Sequence, residues 1–165
     1  MVLAGSKARA SDIRPVKVIS KAVAETVTSS TALQDDDDFS IDLEVGKSYV
    51  VRAYLSVTGA TGGDVKVAWS NGATVTKSSR HCLGPQTGTT DATNTAMRST
   101  RHGIASSVPY GVDGTNESAV FETLQIEDVT VAGTLTMQWA QNASSGTATT
   151  MGTTSRIEWV EVDLQ

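Results

Sequence analysis

One cysteine in 165 residues excludes an internal disulfide, so Cys82 cannot staple the fold and stability has to come from packing. No apolar run approaches the ~18 residues of a membrane-spanning helix, and the opening MVLAGSKARAS holds no stretch as long as a signal-peptide core. The expectation is a soluble chain made in a cytoplasm, with no membrane partner. Helical periodicity is missing too: no segment carries apolar residues at i, i+3, i+4 and i+7 over three turns between caps. Only VISKAVAETV passes briefly for helix, and its β-branched residues argue against that. There is no G-x-S-x-G elbow, no phosphate loop and no H-E-x-x-H pair. A chain of this length fits one domain that buries roughly 68 to 70 percent of its unfolded surface, enough for a core without staples.

The charge that is present is unevenly placed. Residues 1 to 21 hold Lys7, Arg9, Arg14, Lys17 and Lys21 against Asp12, a local +4, whereas the remainder has eight basic and seventeen acidic residues, −9. A basic arm over residues 1–20 on an acidic body can reach the acidic surface of a neighbour. It has no aromatic residues for base stacking, and the body repels phosphate, so no nucleic-acid partner is expected.

Almost all of the hydrophobic patterning has period two. Phe39, Ile41, Leu43 and Val45 alternate with Ser40, Asp42 and Glu44, the pattern of a strand with one dry face. After a tight turn at Gly46-Lys47, Tyr49, Val51, Ala53, Leu55 and Val57 continue it, with Val50 and Tyr54 making the other face partly apolar, as in a central strand. Val65, Val67 and Trp69 follow GATGGD, whose glycines read as a hairpin turn. Residues 118–128, 134–141 (Leu135, Met137 and Trp139 inward) and 156–162 (Ile157 and Trp159 inward) repeat the alternation. The pattern predicts an all-β fold, an antiparallel β-sandwich with jelly-roll-like connections, over residues 21–165. Its core is expected to be Phe39, Ile41, Leu43, Tyr49, Val51, Leu55, Trp69, Leu135, Met137, Trp139, Ile157 and Trp159. Residues 71–116 break the pattern and read as a long loop-rich excursion, shortened by strands near 74–76 and 104–110 and ordered by subunit contacts.

Four consecutive aspartates, Asp35 to Asp38, precede the first clear strand. Calcium loops space their acidic residues around a glycine, and neighbours along an extended chain point to opposite faces, so this run is expected to be a solvated lead-in and not a metal site. His81, Cys82 and His102 lack the paired close spacings of a zinc site and any signature of a Cys/His nucleophile. Glu158 and Glu161 lie on an amphipathic strand where solvation is the default. Without a secretory signal, the sequons at Asn116 and Asn142 read as turn residues. No catalytic residue, metal ligand or cofactor is expected.

Two motifs carry a likeness. ETVTSSTALQDDDDFSIDLEVGKSYVVRAYLSV, followed by GTLTMQWAQNASSGTATTMGTTSRIEWVEV, resembles a family of small structural proteins and domains of tailed bacteriophages. That family has a T-V-x-S-S-T-x-L-Q-x-D-D segment leading into a strand and an L-Q-W-A-Q-N-x-S segment with a T-A-T-T tail. Here Met137 stands where leucine is commoner. The likeness covers residues 10–57 and 117–162 and is loose between them. It implies a virion component with a β-sandwich fold and no enzymatic activity.

Two functions fit. The first is a capsid decoration or cement protein, a homo-oligomer, trimeric in the simplest arrangement, bound to the major capsid protein or other virion proteins on the outer shell. Lys7, Arg9, Arg14 and Lys17 on the arm, and Arg80, Arg98, Arg101 and Tyr110 in the excursion, are its expected assembly contacts. The second is a tail- or fibre-associated adhesin for a host glycan. A sugar platform needs more aromatic surface than the excursion offers, since Tyr110 is its only aromatic besides histidines, so the capsid surface is preferred to the tail.

Overall fold

Alternation builds strands here because each side chain that enters the dry layer is followed by one that stays in water. The structure, a computed structural model, describes residues 14–88 and 97–162. Among them are twelve strands and no helix: β1 (Lys17–Ser20), β2 (Glu25–Val27), β3 (Gln34–Leu43), β4 (Ser48–Thr58), β5 (Val65–Asn71), β6 (Thr74–Pro85), β7 (Met97–His102), β8 (Val108–Tyr110), β9 (Ser118–Val131), β10 (Gly133–Ala140), β11 (Thr149–Met151) and β12 (Arg156–Val162). On β4 the residues Tyr49, Val51, Ala53, Leu55 and Val57 are all buried, as are Phe39, Ile41 and Leu43 on β3 and Leu135, Met137 and Trp139 on β10.

The strands form two antiparallel sheets packed on each other. The larger runs β1-β12-β4-β9-β6-β7, with β11 pairing β2 and β4; the smaller runs β3-β10-β5-β8. The pairs β1·β12, β3·β10, β4·β9 and β5·β8 are nested in sequence, the first strand with the last and so inward. A long hairpin of such nested pairs, rolled up so that β12 meets β4 and β10 meets β5, is a jelly roll. The hairpin β6–β7 is inserted between β5 and β8 and lies along the outer side of β9. One apolar cluster drawn from both sheets fills the space between them.

Several expectations need correcting. GATGGD is not a hairpin turn, because β4 and β5 lie in different sheets and the segment carries the chain across the sandwich. Gly133 serves the same purpose between β9 and β10, where an added Cβ would collide with the backbone of Gly72 and Ala73. The stretch 71–116 is not chiefly loop, since β6, β7 and β8 occupy much of it. It lacks a period-two signal because the inward positions of β6 are Arg80, Cys82 and Gly84, the last left bare so that the Tyr110 ring can lie against it. Within the proposed arm, residues 17–20 are not free: Lys17 pairs with Trp159 and Ser20 with Arg156 as the edge strand β1. Trp159 faces the core but is only half-buried at this edge, with the Lys17 ammonium 6.0 Å from its ring.

Candidate functional site

Charged side chains occupy two places inside the molecule. Arg80 on β6 and Glu122 on β9 lie at 0% and 2% exposure between the sheets. The Arg80 Nε donates to Glu122 Oε2 at 3.0 Å, and its Nη2 donates to Glu122 Oε1. Nη1 donates to the carbonyls of Ile104 (3.2 Å) and Ser106 (2.6 Å), and Nη2 also to that of Val67 (3.0 Å). Glu122 further accepts from Trp69 Nε1 at 2.7 Å and from the Tyr110 hydroxyl at 2.6 Å. A buried ion pair is tolerated only when its remaining donors and acceptors are satisfied, and here they are. The node ties β6 and β9 of one sheet to β5, β8 and the 103–107 loop of the other. Burial, with the Glu122 charge second, pushes the Tyr110 hydroxyl well above the ordinary phenol range and raises the Cys82 thiol. Tyr110 therefore stays a donor and Cys82 stays an un-ionised, unreactive thiol.

The second place is the aspartate run. Asp35 to Asp38 lie within β3, not ahead of it, and Asp36 is 3% exposed. The ladder to β10 pairs Asp35 with Gln138 and Ser40 with Thr136, so residues 36–39 bulge out opposite Met137 alone. Asp36 holds the bulge by accepting from the backbone N–H groups of Asp38 and Phe39, both at 3.1 Å. The expectation of a solvated lead-in is thereby corrected: Asp36 is buried, and Asp36 and Asp38, two apart on the strand, turn toward the same group. Asp36 (2.9 Å), Glu25 (3.0 Å) and Asp38 (3.5 Å) all reach one cation, the ammonium of the buried Lys21, which also sits 5.4 Å from the Phe39 ring. Burial opposes the lysine charge, but Asp36 and Glu25 outweigh it and hold Lys21 above the usual ammonium range. Among the described residues no group of three or more His, Cys, Asp or Glu is placed to hold a metal ion.

The remaining candidates scatter. Arg80 and Tyr110 cannot be assembly contacts, because both side chains are consumed by the inner node. Lys7 and Arg9 lie outside the described residues. Arg14 and Lys17 each stand 3.7 Å from Glu161, which Lys47 also pairs at 3.1 Å. Arg98 sits on β7 opposite Gly84, and Arg101 opposite His81. His81 and Cys82 point to opposite faces, the first exposed and the second buried, so no Cys/His pair forms.

What the structure does assemble at the surface is the outer face of the larger sheet. One row across it reads Arg156, Tyr54, Phe121, Leu83, Ser99, and the next reads Glu158, Arg52, Thr123, His81, Arg101. In the first row the Arg156 guanidinium lies 4.4 Å from the Tyr54 ring, and Tyr54 meets Phe121 edge-on at 5.8 Å. Phe121 and Leu83 are each 40% exposed, and nearby Met97 is 49% exposed. In the second row Glu158 accepts from Arg52 (3.3 Å) and from the Tyr54 hydroxyl (3.1 Å). Beside His81 and Arg101 lies a shallow depression lined also by Lys77, Ser79, Gln125 and Glu127. Phe121 was a legible signal, an aromatic residue in the wet phase of SAVFETLQIED, opposite Val120, Leu124 and Ile126. Such a face offers contact area and charge. Comparison with protein-family models, with curated proteins and with solved structures finds no match.

Proposed function

We propose that this chain is a non-enzymatic structural protein of a tailed-bacteriophage virion, a decoration or cement protein that binds the outer shell as an oligomer and stabilises it. The observation that carries the reading is the division of its polar chemistry. The buried charges, Arg80 with Glu122 and Lys21 with Asp36, are used up in holding the two sheets and the bulged strand, whereas the exposed side chains are spread over a broad sheet face. A cement adds contact area between neighbours and needs a stiff body to do so; a catalyst needs reactive groups left unpaired in a cleft. The two motifs that resemble phage structural proteins support the same assignment, and so does a jelly roll, although that fold hosts many functions. The basic residues ahead of β1, Lys7 and Arg9 among them, are the proposed contact with the shell protein, and the surface of the head is the proposed location.

Reconstitution tests this. Purified chain is added to particles that lack it, and bound copies per particle and the temperature of particle disruption are measured. Saturable binding with a raised disruption temperature is expected, and removal of residues 1–13 should abolish binding while the domain keeps its thermal transition. Absence of binding, turnover of any substrate, or binding to host cells in its place would overturn the reading, the last in favour of an adhesin.

A further inference from the structure

We propose that the outer face of the larger sheet is a two-fold surface on which a second copy of this chain docks, with the axis running along β9. In the order β1-β12-β4-β9-β6-β7, the strand β9 has β4 and β12 on one side, inside the edge strand β1, and β6 and β7 on the other. A two-fold rotation about an in-plane axis along β9 keeps each cross-strand row level and reverses the strand order, so β4 lies over β6 of the second copy and β12 over its β7. The register then decides what meets what. In the apolar row Phe121 faces its own copy, and Tyr54 faces Leu83, which covers side chains left 40% exposed at Phe121 and Leu83. In the polar row Thr123 faces Thr123, and Glu158 faces Arg101, for which no described carboxylate is a partner. Arg52 faces His81; its charge is already matched by Glu158 at 3.3 Å, and its planar guanidinium can stack on an imidazole ring. One operation thus sets Phe121 on Phe121, Tyr54 on Leu83, and Glu158 between its own Arg52 and Arg101 of the second copy, while Arg156, stacked on its own Tyr54, faces Ser99.

The face is also large enough. Five strands at ~4.8 Å spacing and about ten residues at ~3.3 Å each give roughly 24 by 33 Å, about 800 Å², which is what each partner buries in a stable complex. The proposal needs no particle and goes beyond the assignment to a virion, so either can fail while the other stands.

Sedimentation equilibrium of the full chain measures it. A monomer–dimer equilibrium is expected. Phe121→Asp and Leu83→Asp alter exposed positions, so circular dichroism and the thermal transition should stay native while dissociation strengthens by about tenfold or more, as loss of a central apolar contact does. Arg101→Glu should weaken the dimer by about fivefold or more, because it sets a carboxylate against Glu158 of the second copy, whereas Arg101→Lys, which keeps the charge, should stay within about threefold of the parent. A chain that stays monomeric at several hundred micromolar, on the order of the weakest specific complexes, overturns the proposal. So does a trimeric mass, a dimer indifferent to Phe121→Asp or to Arg101→Glu, or an exposed row covered only by a different protein.

Discussion

Arg80 is the residue on which the interior turns, since it donates five hydrogen bonds while wholly out of water. Replacing it by Met leaves Glu122 charged and unpartnered on that side, a loss of about 3–5 kcal/mol. Replacing both, Arg80→Met with Glu122→Leu, should cost markedly less than the single change, because the stranded charge goes too. Denaturant midpoints of the three proteins decide it, and a double variant as weak as the single one would mean that the node contributes more than charge balance. The tryptophans give a second comparison. The Trp69 N–H donates to Glu122, whereas the buried Trp139 N–H has no partner among the described residues. Trp69→Phe should therefore cost about 1.5–3 kcal/mol more than Trp139→Phe, the worth of a hydrogen bond to a charged group. Glu122 was half legible, a carboxylate in phase with Val120, Leu124 and Ile126. Arg80 was not, because its strand presents no apolar phase for it to interrupt.

Among the edge strands, β1 is held by a single ladder of four residues, with Val18 in it left 54% exposed and Val16 just ahead of it 53%. Glu161 is its electrostatic anchor, drawn below the ordinary carboxylate range first by Lys47 and then by Lys17 and Arg14. A lowered pKa contributes stability above the unfolded value of 4.5 that is lost as pH falls through the folded one. Amide protection factors of Val18 and Ile19 should thus drop more than those of β4 between about pH 5 and pH 3, and Glu161→Gln should remove the difference. Protection that is flat with pH would show that β1 does not depend on this carboxylate. Beyond β1, Lys21 is locked by three carboxylates, so fraying stops there. The long strands were readable from alternation because both sheets have one wet face. Their assignment to sheets was not, since GATGGD and the corner at Gly133 have the composition of hairpin turns. Gly133→Ala, which drives a Cβ into the Gly72 backbone, should cost about 1–3 kcal/mol in thermal or denaturant unfolding.

At the scale of the whole molecule, nested pairing joins the distant parts of the chain first to last, as in Lys17 with Trp159. Such contacts become favourable only after a long loop has closed, so refolding by stopped flow should take ms to s, and a microsecond phase carrying the full amplitude would contradict the topology. Jelly-roll wrapping was anticipated in kind, but the hairpin β6–β7 that widens the larger sheet was not, because its inward residues are a guanidinium, a thiol and a bare backbone. That hairpin supplies two of the five strands of the face proposed to pair. The same β1·β12 ladder has one more effect: it brings Arg14 and Val162 to a common corner of the sandwich. A short Gly/Ser tether could therefore splice those ends, and fresh termini cut at the exposed 143–146 turn would yield a circularly permuted sandwich with the outer face of its larger sheet intact.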